Sequence, residues 1–97
     1  MEPKVTTDTD EKTKLAPQYR VLIHNDDVTP MGFVVYVLMS VFGRNEADAF
    51  EIMLTAHNTQ VALVAVLPLE EAEFRVDKAH SMARTQKYPL TFTYEPE

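Results

Sequence analysis

The sequence predicts an α/β (α+β) domain in which a three-stranded antiparallel sheet packs on three helices in the order β-α-α-β-α-β. Three short β-rich runs, at residues 19–23, 60–67 and 90–94, are separated by segments that carry helix-capping residues or a helical apolar period. No segment repeats another, and 97 residues with 45% hydrophobic content supply one small core and no second.

Taken in chain order, residues 1–17 are rich in Thr, Asp, Glu and Lys and offer a core only Val5, Leu15 and Ala16. They cannot offset their ordering entropy, so a flexible extension, 1–17, is expected ahead of a core domain, 18–97. The run Tyr19-Arg20-Val21-Leu22-Ile23 stops at the turn-forming Asn25-Asp26-Asp27 and is the first strand. Thr29-Pro30 opens the first helix, with the Thr29 hydroxyl expected as its cap, and the helix runs to about Phe42. Gly43 supplies the left-handed residue that ends it, and Asn45, with Asp48 three positions on, caps a second helix ending near His57. Asn58 is the expected left-handed terminator there, because asparagine tolerates positive φ. A strand at 60–67, rich in Val, Ala and Leu, closes at Pro68. Leu69, Ala72, Val76, Ala79 and Ala83 then recur at a helical period, with Glu70, Glu71, Glu73, Asp77 and Lys78 elsewhere on the wheel and His80 expected on its polar side. Tyr88-Pro89 breaks this third helix, and Leu90-Thr91-Phe92-Thr93-Tyr94 alternates as the last strand.

Composition narrows the function. The chain has no cysteine, which removes disulfides, thiolate metal sites and thiol nucleophiles and makes a reducing, cytoplasmic setting the expectation. Glu2, Lys4, Asp8 and Asp10 near the start do not read as a secretory signal, and the apolar run 31–42 is shorter than the roughly 20 residues a membrane span requires. A net charge of -6 disfavours nucleic-acid backbones and anionic membranes, whose affinity comes from clustered Lys and Arg. Ser40 and Ser81 lack a nucleophile context, and with two glycines there is no phosphate-cradling loop. A metal site can be imagined from His24, His57 and the Asp26-Asp27 pair, but His24 and Asp26 two apart, on a strand end and in its loop, match no recognised ligand spacing.

The first helix is apolar around nearly its whole circumference, so one face covers the sheet and another needs a second partner. Met31 and Val34 share a face, as do Met53, Ala56 and His57 on the next helix. Those faces either close completely or leave an apolar pocket with a histidine at its rim. Asn25, Asp26 and Asp27 serve as turn residues, or else Asn25 and Asp26 direct acceptors at a cation with His57 as a third group from the second helix.

Residues 19–31, YRVLIHNDDVTPM, closely resemble the signature of the ClpS adaptor family, in which a strand leads into Asn-Asp-Asp and then Thr-Pro-Met opens a helix. Met53-Leu54-Thr55-Ala56-His57 resembles its second block, and the register holds through Leu69-Glu70-Glu71-Ala72-Glu73 to Tyr88-Pro89-Leu90. The resemblance implies a non-enzymatic adaptor without cofactor or metal, a monomer that binds N-degron substrates beginning with Leu, Phe, Tyr or Trp. It implies delivery of them to the N-terminal domain of a Clp Hsp100 unfoldase of the ClpA or ClpC type, in the cytoplasm or, for a plant protein, the plastid stroma. Carried over, Asn25 and His57 would hydrogen-bond the substrate α-amino group and Asp26 would supply negative potential. Thr29, Met31, Val34, Met53, Ala56 and Leu90 would line the side-chain pocket, and Glu70, Glu73 and Arg75 would meet the unfoldase. The extension before residue 18 would be engaged during delivery. Two positions depart from the family pattern: Gln60 stands where glycine is usual after the histidine helix, leaving the positive φ to Asn58, and Gly32 stands where a larger, often charged residue is common. The same small architecture also resembles the C-terminal domain of the ribosomal stalk protein, an interaction module, which lacks the Asn-Asp-Asp and Met-Leu-Thr-Ala-His blocks.

Overall fold

The computed structural model describes residues 16–97, so the expected extension lies, up to residue 15, outside the described residues. The element order is β1 (Gln18–His24), α1 (Met31–Ser40), α2 (Glu46–Thr59), β2 (Val61–Pro68), α3 (Leu69–Thr85) and β3 (Thr91–Pro96), in the order the sequence predicts. β1 is central in a sheet of order β2-β1-β3, antiparallel to both neighbours. Alternation along β1 sends Val21 and Ile23 inward, where they meet Ala62, Val64 and Phe92, while Arg20 faces out and pairs with Glu95 at 3.7 Å. A register shift between Val21 and Leu22 places an extra β2 residue, Val64, in the ladder. The helices contribute Val34, Val37, Leu38, Ala49, Met53, Ala56, Ala72, Val76, Ala79 and Ala83 to one core, in which the Phe42 and Phe92 rings lie 5.1 Å apart. Alanines at four of the buried α2 and α3 positions nearest the sheet, Ala49, Ala72, Ala79 and Ala83, are fully buried, so both helices sit close against their neighbours.

Two helix ends behave as the sequence predicts. Asn45 accepts the Asp48 N–H through its side chain at 2.8 Å, and Gly43 at φ +68° reverses the chain so that the Arg44 N–H reaches the Leu38 carbonyl at 3.1 Å. Two others do not. α1 starts one residue later than expected, with Pro30 as its N-cap and no side-chain cap, and the Thr29 hydroxyl donates backwards to Asp26 at 2.9 Å. α2 continues past His57 to Thr59, and the left-handed residue is Gln60 at φ 79°, not Asn58. At this end the single proton of the Thr59 hydroxyl is shared between the Thr55 carbonyl at 2.7 Å and the Val61 carbonyl at 2.9 Å, and the Gln60 N–H closes the helix on the Ala56 carbonyl at 2.8 Å. The strain of positive φ on a side chain with a Cβ, about 1 kcal/mol, therefore falls on Gln60.

His80 is a further correction. It is half-buried, and its Nε2 accepts the Phe92 N–H at 2.9 Å, tying α3 to β3. Burial first, and the nearby Arg84 guanidinium second, hold its pKa below the ordinary histidine value, with Asp77 opposing them. The α3–β3 connection is also fixed by Arg84, whose guanidinium donates to the Tyr88 and Leu90 carbonyls at 2.7 and 2.9 Å.

Candidate functional site

The loop after β1 is organised by one carboxylate. Asp26 Oδ1 accepts the N–H groups of Val28 and Thr29 at 2.8 and 2.7 Å, and its Oδ2 accepts the Thr29 hydroxyl, so four residues close into a compact turn. The backbone N–H of Asn25 donates to the Gln60 carbonyl at 2.9 Å. That bond ties the loop to the C-terminal end of α2, and it exists because the left-handed Gln60 turns its carbonyl toward β1. Asn25 and His57 are thereby held on the same side of the domain although they are far apart in sequence.

Between this loop, α1, α2 and the lead into β3 lies a cavity of about 170 Å³. Asn25, Asp26, Thr29, Met31, Val34, Met53, Ala56, His57 and Leu90 all line it, together with Ile23, His24 and Asp27. The floor is apolar and closed, with Val34, Met53, Ala56 and Leu90 all buried, and the rim is polar. Met31, half-exposed at 50%, stands at the mouth. Among the described residues no hydrogen bond engages the Asn25 carboxamide or the exposed His57 imidazole, so the rim carries amide and imidazole groups ready for a ligand, beside the carboxylates of Asp26 and Asp27. No Lys or Arg lines the cavity, and its charged side chains are carboxylates. An engineered apolar cavity of about 150 Å³ accepts benzene, so this one has room for a single large apolar side chain.

Of the three lining residues outside the expected set, Ile23 follows from β1 alternation and Asp27 from its place in the turn. His24 sits at the strand end and shares a 2.7 Å hydrogen bond with Thr93 Oγ1, which a local reading of β1 does not reveal. The metal alternative finds no support in the geometry: among the described residues no three His, Asp or Glu side chains converge closely enough to hold an ion.

The residues expected to meet a partner lie elsewhere, on α3. Glu70 and Glu73 are exposed, and Glu70 borders a surface cleft with Ala16, Pro17, Tyr19, Pro68 and Leu69, beside the point where residues 1–15 join the domain. Arg75 is engaged internally, donating to the Val41 carbonyl at 2.6 Å and to Glu71 at 3.3 Å. Phe74, passed over in the sequence, is 65% exposed on the same helix, opposite its buried alanines. No helix among the described residues is long and apolar enough to cross a membrane.

The profile of the family described as ATP-dependent Clp protease adaptor protein ClpS matches residues 14–93. The chain is 50% identical over 93 residues to the ATP-dependent Clp protease adapter protein ClpS of Roseobacter denitrificans, covering 96% of this chain and 82% of that one. It is 42% identical over 101 residues to the ClpS 2 adapter of Mesorhizobium japonicum, covering 98% of each. Among solved structures, Agrobacterium tumefaciens ClpS2 bound to L-phenylalaninamide superimposes with a TM-score of 0.81 at 38% identity, over 84% of this chain and 98% of that one. A profile match across most of the length, joined to close full-length relatives and a shared fold, means that this chain belongs to the ClpS family of Clp protease adaptor proteins.

Proposed function

We propose that this chain is a non-enzymatic adaptor that holds the first residue of a substrate protein, when that residue is Leu, Phe, Tyr or Trp, and delivers the substrate to a Clp AAA+ unfoldase in the cytoplasm. The observation that carries the reading is the pairing of unengaged Asn25 and His57 groups with a one-side-chain apolar cavity beneath them. A free α-ammonium brings three donors and a charge, and an amide oxygen, a neutral imidazole nitrogen and neighbouring carboxylates replace its water. An internal peptide amide offers no such group. Burying a Leu or Phe side chain in the cavity contributes about 1.5–3 kcal/mol, enough to separate large apolar first residues from small ones. The ligand of the Agrobacterium relative supports this, since phenylalaninamide has a free amine, an aromatic side chain and an amide where a polypeptide would continue.

In the same reading, Asn25 and His57 bind the amine, Asp26 adds negative potential while bracing Thr29, and Met31 gates the mouth. The exposed Glu70 and Glu73 of α3, with Arg75, form the unfoldase-facing surface, and the 1–17 extension takes part in delivery as a segment separate from the 18–97 core. The test is calorimetric titration with short peptides that differ only in first residue and N-acetylation. Free Phe- and Leu-first peptides bind, their acetylated forms do not, and His57→Ala weakens the free peptides by about tenfold, the loss of one charge-assisted hydrogen bond. Equal affinity for free and acetylated peptides would sink the proposal.

A further inference from the structure

The apolar surface does not stop at the cavity mouth. Met31 and Val34 on α1 face Met53, Ala56 and His57 on α2 across the cavity, so the two helices run antiparallel, with the start of α1 beside the end of α2. From that rung, each four-residue step up α1 advances about 6 Å, while the opposite residue on α2 falls back by three or four. By that helical spacing the next rung pairs Val35 with Leu54, and the one after it Met39 with Phe50. Val35 is half-buried, and Leu54, Met39 and Phe50 are 36%, 39% and 50% exposed. Single exposed apolar residues need no explanation, but facing pairs that prolong a binding cavity along two helices do.

We propose that this strip seats the third and fifth residues of the substrate whose first residue occupies the cavity, which makes this adaptor selective for apolar side chains there. The inference rests on the N-terminal reading above. An extended polypeptide repeats every two residues over about 6.6–6.8 Å with alternate side chains on one side, so residues 1, 3 and 5 point the same way at nearly the spacing of the rungs. The first residue is anchored at the Met31 and His57 rung. Residue 3 then falls on Val35 and Leu54, and residue 5 on Met39 and Phe50. No charged side chain occupies the three rungs, so acidic or basic residues at positions 3 and 5 would lose hydration without gaining a partner. Continuity with the cavity favours the substrate over a separate protein as the occupant.

The test uses three Phe-first peptides with free N-termini, read by fluorescence anisotropy: Phe-Ser-Leu-Ser-Leu, Phe-Leu-Ser-Leu-Ser and Phe-Ser-Ser-Ser-Ser, each followed by the same polar tail. The first is expected to bind about tenfold more tightly than the third, from two half-buried leucines, and the second to resemble the third. Phe50→Ser should cut the advantage of the first peptide about threefold and leave the all-serine peptide unchanged, whereas Phe74→Ser on the remote α3 should change neither. Both sites are exposed, and thermal melting confirms that the variants fold. Equal affinity of the three peptides overturns the inference while leaving the cavity reading intact, and failure of all three to bind overturns both. Concentration-dependent self-association abolished by Phe50→Ser, seen in sedimentation velocity, would assign the strip to a second copy of the chain and likewise overturn it.

Discussion

Replacing Asp26 separates bracing of the loop from electrostatics. Its Oδ1 accepts two backbone N–H groups at 2.7 and 2.8 Å and its Oδ2 accepts the Thr29 hydroxyl at 2.9 Å. Asp26→Asn keeps an acceptor oxygen for both N–H groups and sets an amide NH₂ opposite Thr29, whose hydroxyl can turn to accept. The variant loses only the charge assistance of these bonds, about 1 kcal/mol of stability. Asp26→Ala strands all three donors, which water reaches only in part, at a cost of about 2–4 kcal/mol. Binding follows a different order of causes. A carboxylate about 6 Å from an ammonium in a half-exposed site is worth about 1 kcal/mol, so Asn weakens a Phe-first peptide about fivefold, and that loss shrinks as salt screens the field. Ala also releases Thr29 and the loop that carries Asn25, so its loss exceeds tenfold at any salt. Urea denaturation and anisotropy titration at low and high salt measure both. If Asn destabilises as much as Ala, the acceptor geometry is not what braces the loop; if Asn binds as the wild type does, Asp26 supplies no potential to the site.

Three further outcomes follow from the described contacts. Gln60→Gly relieves a positive φ and Gly32→Ala fills open space within a short helix, so each should raise stability by about 0.5–1 kcal/mol in denaturant titrations, with the Asn25–Gln60 bond and peptide affinity preserved. Arg75→Ala removes the 2.6 Å bond to the Val41 carbonyl at the end of α1 and should cost about 1–2 kcal/mol, whereas Glu70→Lys and Glu73→Lys should impair unfoldase-dependent degradation at unchanged stability. Melting temperature beside a degradation assay distinguishes the two. The pKa of His80 is lowered in the folded state, so its contribution is complete above the ordinary value of 6.5 and is lost as pH falls below that toward the folded value. Between pH 7 and 5 the wild type should lose more stability than His80→Gln, which retains an acceptor for the Phe92 N–H and does not titrate; parallel profiles would refute the role.

Much of this molecule was legible in one dimension because its signals are local. Gly43, the Asn45–Asp48 cap and the periodicity of α3 each act within a few residues of themselves, and all stand where the sequence predicts. The nine residues expected at the binding pocket were found through their likeness to a family, and they line one cavity. Local capping preferences said less where several groups competed for the same partner. Thr29 had the chemistry of a helix cap, but the helix starts one residue later, at Pro30, and the Thr29 hydroxyl is turned toward the Asp26 carboxylate. Asn58 was the better candidate for positive φ, but α2 runs on to Thr59 and the strain falls on Gln60, whose N–H closes the helix on the Ala56 carbonyl. Other features depend on pairings that only the packed chain creates. His80 looks like a surface residue until β3 brings the Phe92 N–H to it, and the spacing of Arg75 to Glu71 is legible as an ion pair while its bond to the Val41 carbonyl is not, because only packing ends α1 beside it. Whether Met39 and Phe50 are buried or exposed is likewise undecided by their own helices, which are apolar on several faces. It was settled by which of those faces the sheet covered, because a three-stranded sheet cannot shield every apolar side of two helices at once.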